Sequence, residues 1–299
     1  IMITSIFFMM IGPPLEWCNR KLDNVMSKIV AYNVKTVGNE YTPVEFDALL
    51  MVINRINGDI VCIEEMKGDD DITALEELST QLLTEYDLDY PWSCYSDVSG
   101  SFNPFNLRTA CLSKYRIVDH HSWSSAELSG DPNADDLTRD LMCVVINWNN
   151  FKLGVIVVHL KSGSTSTDRF RRAIEIIRIK QVVERFHQDY PDQPFVILGD
   201  FNEEVVEGPF GNVYDSLPSS LPGAYELGND ISLPVTYDPF VHLQEIDMDY
   251  VQASHEDTFD DYNSYVNIDY RTYKRLDYIF YNNTRLGRYK DMVYDACDK

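Results

Sequence analysis

The chain has 299 residues, enough for one large domain with a sizeable core, and its 44% hydrophobic and 24% charged content is ordinary globular usage. Its formal net charge of −23 is not ordinary, and it argues against a protein that coats nucleic acid or an anionic membrane with its whole surface. More than half of the 25 Lys and Arg fall in the windows 152–185 and 271–290, and none lies between Phe186 and Tyr270, so a local contact with a polyanion stays open.

The opening "IMITSIFFMMIG" is apolar but shorter than the ~20 residues of a membrane span. It lacks the basic n-region and small-residue cleavage site of a signal peptide, which favours a cytoplasmic over a secreted address. Domain character begins at "MSKIVAYNV", so residues 1–25 read as an N-terminal extension and 26–299 as one domain. A strand is expected over 28–34, and a helix follows it. "TPVE" opens that helix as a capping box with Thr42 at the N-cap, and Phe46, Leu49, Leu50, Ile53 and Ile56 recur at helical spacing. A strand over 59–66 and a helix over 72–86 come next. Strand-like runs then succeed one another over 107–113, 139–148 and 152–160, rich in Val, Ile and Leu. A long helix is expected from Asp168 to about Tyr190, a strand over 195–199, an irregular acidic stretch over 203–270, and a strand over 276–282. Consecutive strands argue against a doubly wound parallel sheet. Two face-to-face sheets with helices outside fit better: an α+β, four-layer α/β/β/α sandwich of two packed mixed sheets.

Cys62, Cys111 and Cys143 sit in apolar runs and read as free buried thiols, whereas a bridge among Cys18, Cys94 and Cys297 stays open. The absence of any C-x-x-C pair argues against a thiolate zinc site.

Polar residues gather at strand ends. "AYNV" ends with Asn33 in play, "CIEEM" with Glu64 and Glu65, "VVHLKSG" with His159 and Lys161, "VILGDFN" with Asp200 and Asn202, and "RLDYIF" opens on Asp277. Singly, each is a turn former or a hydrogen-bonded core residue. Together and in this order they resemble the exonuclease–endonuclease–phosphatase superfamily with its deoxyribonuclease-I-like fold, from about Lys28 to Tyr281. "GDFN" and "DIVCIEE" are the most specific pieces.

The resemblance implies a metal-dependent phosphodiesterase, with a nuclease acting on DNA or RNA as the leading reading. It implies Asn33 and Glu65 as ligands of Mg2+, with Mn2+ or Ca2+ as substitutes; oxygen ligands suit such cations. It implies His159, Asp200, Asn202 and Asp277 as catalytic groups: Asp200 on the attacking water, Asn202 on a phosphate oxygen, His159 at the scissile phosphate or leaving group, Asp277 fixing a neighbour. Lys161, Arg108, Arg169 and Arg172 would contact substrate phosphates, while Arg178 and Arg185 read as decoration of a solvated helix face. Nucleic acid is the implied partner, and a monomer is the expected state.

The family's terminal Ser-Asp-His stretch does not follow "RLDYIF", and "ASHED", with His255, precedes that strand and is no substitute. The β-prone "IMITSIFFMM" is therefore expected to occupy the place of the family's last strand, where an open sheet edge is a liability. Alternative readings are a phosphatase or phospholipase-type hydrolase of the same fold, and a catalytically silent binding module.

Overall fold

The apolar runs become sixteen strands and four helices among the described residues. The computed structural model describes residues 5–12, 27–37, 43–67, 73–97, 107–148, 151–163, 165–203, 212–213, 225–231, 236–237, 243, 245–246, 248–250, 259–260, 273–274, 277–282 and 288–293. In chain order the first half runs β1 (Ser5–Gly12), β2 (Ser27–Val37), α1 (Pro43–Ile56), β3 (Ile60–Lys67), α2 (Thr73–Tyr86), β4 (Trp92–Tyr95), β5 (Leu107–Ser113), β6 (Ile117–Trp123) and α3 (Ser125–Ser129). The second runs β7 (Leu141–Trp148), β8 (Phe151–His159), α4 (Ser166–Asp189), β9 (Phe195–Asp200), β10 (Asn212–Val213), β11 (Thr236–Tyr237), β12 (Met248–Tyr250), β13 (Phe259–Asp260), β14 (Tyr273–Lys274), β15 (Asp277–Asn282) and β16 (Arg288–Val293).

Two six-stranded mixed sheets carry the fold, ordered β16-β1-β2-β3-β5-β4 and β12-β15-β9-β8-β7-β6. Each has one parallel pair near its middle, β2 with β3 and β8 with β9, and each pair is joined through a helix, as parallel strands require. The inner faces pack together through Ile29, Ala31, Ile60 and Cys62 of the first sheet and Met142, Val144, Val155, Val157 and Leu198 of the second. Leu49, Leu50 and Ile53 of α1 and Leu78 and Leu82 of α2 cover the first sheet's outer face. Ile176, Ile179 and Val183 of α4 cover the second's. The layers are thus helix, sheet, sheet, helix.

β1 pairs antiparallel with β2 on one side and β16 on the other, so Ser5–Gly12 forms an interior strand of the first sheet. Part of the stretch expected to be irregular also joins a sheet: β12 pairs with β15. In the two large sheets the strands that sequence patterning passes over are β4, β6, β12 and β16, and it also passes over the two-residue strands β10, β11, β13 and β14. β6 shows why: "IVDHHSW" is an edge strand with three exposed residues in succession, so it carries no strand-like apolar run. The long helix begins earlier than expected, because Thr165 is its N-cap in a capping box with Asp168. Thr42, Cys18 and Cys297 lie outside the described residues.

Cys62, Cys94, Cys111 and Cys143 are free and buried. Cys94 lies opposite Cys111 and Cys111 opposite Cys62, a row of three thiols across β4, β5 and β3 facing the inter-sheet core.

Arg178 corrects the reading of α4 as a helix with a solvated basic face. Its side chain is 0% exposed, paired with the equally buried Asp136 and with Asp230. Asp136 also accepts the Gly228 N–H, so the pair fastens residues 228–230 onto the helix. Arg185 is exposed and lies over the Trp123 ring. Removing one member of a buried pair leaves the other charge uncompensated. Arg178→Leu is therefore expected to destabilise the protein by about 3–5 kcal/mol in urea unfolding; a loss below about 1 kcal/mol, the scale of surface pairs, would show that the pair does not behave as a buried one.

Candidate active site

The β8–β9 ladder ends in a polar pair at its carboxyl end, and the β2–β3 ladder carries one where its register shifts. Asn33 lies opposite Glu64 across β2 and β3, and His159 opposite Asp200 across β8 and β9. Packing the two sheets face to face brings these pairs together. Asn33 Nδ2 donates to Asp200 Oδ2 at 3.2 Å and to Glu65 Oε1 at 3.4 Å. His159 Nε2 stands 3.5 Å from Glu65 Oε1 and 3.8 Å from Asp200 Oδ2. One amide and one imidazole, from different sheets, thus face the same two carboxylate oxygens.

Local backbone geometry aims these groups. The β3–β5 register shifts between Ile63 and Met66, and within that irregularity Glu65 takes φ 61°. Such a bulge re-aims a side chain. Asn202 takes φ 50°; its N–H donates to Asp200 Oδ1 at 2.8 Å, and its Nδ2 to the Leu160 carbonyl at 3.0 Å. That bond uses one of the two amide hydrogens and leaves the second for a ligand. Gly199, before Asp200, has φ 132°, and a Cβ there would lie 2.0 Å from the Val158 carbonyl oxygen and 3.1 Å from Glu64 Oε1. Only glycine lets β9 approach β8 and Glu64 this closely.

His159 is buried, and burial first, then the positive charge of Arg139, push it well below its ordinary value of 6.5. The ring is neutral at pH 7, and Nδ1 has no hydrogen-bond partner among the described residues. A proton on Nε2 then faces the two carboxylates.

The other expected residues divide. Asp277 pairs in register with Asp200, so its backbone is beside the site; its side chain is outside the description. Lys161 Nζ stands 3.2 Å from Asp168 Oδ1. Arg172, read as a phosphate contact, has a side chain only 2% exposed, paired with Glu203 and donating to the carbonyls of Lys161 and Gly163. Arg108 lies over the Tyr95 ring, and Arg169 is half-buried on the first turns of α4.

Two residues were not singled out from the sequence. Arg139, just before β7, donates from Nη1 to the His159 carbonyl at 3.2 Å; its Nε is buried without a partner among the described residues. Burial pushes its guanidinium below the ordinary value, against the charges of Glu65, Glu175 and Asp200, which hold it up. Glu175 of α4 accepts the Thr138 N–H and the Lys161 N–H. The signal was present as charged residues inside otherwise apolar windows, "TRDLMCVV" and "AIEII".

Among the described residues, no three His, Cys, Asp or Glu side chains form a ready cage for a metal. The donor set nevertheless fits a hard cation of the magnesium type, which binds through one or two carboxylates and keeps its waters. Glu65 and Asp200 supply such oxygens, and Asn33, whose Nδ2 meets both carboxylates, would add its amide oxygen by turning the amide over.

A family model described as Endonuclease/Exonuclease/phosphatase family matches residues 12–298. No curated protein matches the chain. Among solved structures, truncated Caenorhabditis elegans TDP2 matches at 15% identity and TM-score 0.53, over 86% of this chain and 84% of its own. A β-hairpin deletion mutant of Staphylococcus aureus beta toxin matches at 18% identity and TM-score 0.55, over 91% and 92%. An endonuclease/exonuclease/phosphatase family protein from Leptotrichia buccalis matches at 17% and TM-score 0.53, over 84% and 85%. At these identities the likeness establishes the fold. None of the described helices is long and apolar enough to cross a membrane.

The His159 environment has a consequence for stability. As pH falls through about 6.5, the unfolded chain takes up a proton on this residue and the folded chain does not, so stability falls below that pH. In EDTA, unfolding free energy between about pH 6.5 and pH 5.5 should decline more steeply for the parent than for His159→Gln, by about 1 kcal/mol per pH unit. Equal slopes in urea titrations would mean that the folded ring takes up the proton as readily as the unfolded one.

Proposed function

The chain belongs to the Endonuclease/Exonuclease/phosphatase family, whose members are generally phosphoric ester hydrolases dependent on a divalent metal, and within it we propose a magnesium-dependent phosphodiesterase, foremost a nuclease acting on DNA or RNA. One observation carries this reading: the Glu65 and Asp200 carboxylates, from separate sheets, meet at the same Asn33 amide and the same His159 ring. Carboxylates this close repel and invite a cation between them.

Asn33 and Glu65 would hold the metal; when bound, it neutralises charge on the phosphoryl oxygens. Asp200, with Oδ1 fixed by the Asn202 N–H, uses Oδ2 to orient and deprotonate water for in-line attack. The second hydrogen of the Asn202 amide meets a non-bridging phosphate oxygen, and Arg139 brings positive charge to the same side of the site through its contact with the His159 carbonyl. Neutral His159 donates its Nε2 hydrogen toward the phosphoryl or leaving-group oxygen. Asp277, whose backbone pairs in register with Asp200, would fix a neighbouring catalytic group.

A second reading, a phosphatase or phospholipase-type hydrolase, has its own support. Lys161 and Arg172, expected to follow a phosphate backbone, are paired with Asp168 and Glu203 on a chain of net charge −23. That arrangement offers a long polyanion little and suits a small ester.

Supercoiled plasmid and bis(p-nitrophenyl) phosphate, each with magnesium or EDTA, separate these readings. Magnesium-dependent nicking, reduced by about 10^2–10^4-fold in Asp200→Asn, is the expected result. Turnover of the small ester without nicking would favour the second reading, and no hydrolysis of either would remove the phosphodiesterase.

A further inference from the structure

We infer that Glu175 is a positioning residue for this site: one buried carboxylate holds the chain segment bearing Arg139 against the segment bearing His159. The inference rests on the proposed hydrolytic reading for its kinetic consequence and on geometry alone for its structural one.

Antiparallel pairing of β7 with β8 extends as far as Met142 opposite Val157. Beyond that point, Thr138–Asp140 on one side and Val158–Lys161 on the other carry the site residues. Glu175 bridges them from the helix layer: Oε1 accepts the Thr138 N–H at 2.9 Å, and Oε2 accepts the Lys161 N–H at 2.8 Å. Thr138 directly precedes Arg139, and Lys161 follows His159 by two residues. Arg139 closes the circuit by donating to the His159 carbonyl. The residue is 1% exposed, so both bonds are shielded from competing water.

The carboxylate does what an amide cannot. Gln has a single acceptor oxygen and would set its NH2 against one of the two backbone N–H groups. It would also remove the negative charge that lies near Arg139. Arg172, one helical turn earlier, grips the same segment through the Lys161 and Gly163 carbonyls and reaches Glu203 beyond β9. α4 therefore fixes three chain segments around the site, and Glu175 is the member that governs Arg139.

The test is a cycle of Glu175→Gln, Arg139→Lys and the double variant, assayed on bis(p-nitrophenyl) phosphate with magnesium. Glu175→Gln should lower kcat by about tenfold to a hundredfold, the scale of a misplaced reacting group, with KM changed less than about threefold. Because Glu175 acts through Arg139, the double variant should lose at most about threefold more than Arg139→Lys alone. Independent of activity, the Arg139 Nε–Hε NMR signal, identified by its absence in Arg139→Lys, should lose order in Glu175→Gln. Glu175→Asp, which keeps the charge but retracts the oxygens, should fall between parent and Gln in both readouts and serves if Glu175→Gln does not fold. Multiplicative losses in the cycle, or an unchanged Arg139 signal, would overturn the inference. If the parent protein hydrolyses no ester, the proposed function fails while the NMR comparison still decides the positioning.

Discussion

The end-to-end meeting of two parallel strand pairs is the constraint on which everything else in this molecule hangs. The regular register of β2 with β3 runs to Asn33 opposite Glu64 and that of β8 with β9 to His159 opposite Asp200, and sheet packing sets these two positions against each other. Strand side chains alternate between faces, so a slip of one residue in either ladder would send a site residue to the opposite face. Asp200 is constrained twice, by His159 on one side and Asp277 on the other. The two close-packed cores are what resist the slip, because it would exchange Val155, Val157 and Leu198 between the sheets for Ile156, Val158 and Ile197, which pack beneath α4. Register and site are one property of the sequence.

Electrostatics around this point are finely opposed rather than one-signed. Two carboxylates face a neutral imidazole and an amide, and the nearest guanidinium is bracketed by Glu65, Glu175 and Asp200. Basic residues on α4 that look available in the sequence serve the interior: Arg172 against Glu203, Arg178 against Asp136 and Asp230. Helix α4 is consequently buried on two sides, against the second sheet and against Tyr225 and its neighbours.

Much of this was legible beforehand, for a physical reason. Buried strands announce themselves through Val, Ile and Leu, and a polar residue at the tip of such a run stands out, which is how Asn33, Glu65, His159, Asp200 and Asn202 are found. Arg139 and Glu175 escape the same search because each sits in a loop or helix whose relation to the site is purely tertiary. Arg172 and Arg178 mislead for the converse reason: their partners lie 31 and 42 residues away in the chain, and no local pattern separates a buried guanidinium from a solvated one. Edge strands such as β6 lack a fully apolar face, so their role depends on the neighbour they join rather than on their own composition.

The row of thiols across β4, β5 and β3 gives the protein a built-in record of its own opening. Hydrogen bonding to Cys111, then burial, pushes the Cys94 thiol up, and Cys111 is pushed up chiefly by its bond to Cys62. Thiols in this state are poor nucleophiles and out of reach of reagents. They react only when the sheets part, so the speed at which an alkylating probe marks them measures how often the inter-sheet core comes apart, and Cys94, on a four-residue edge strand, would be the first to be marked if that edge frays ahead of the rest.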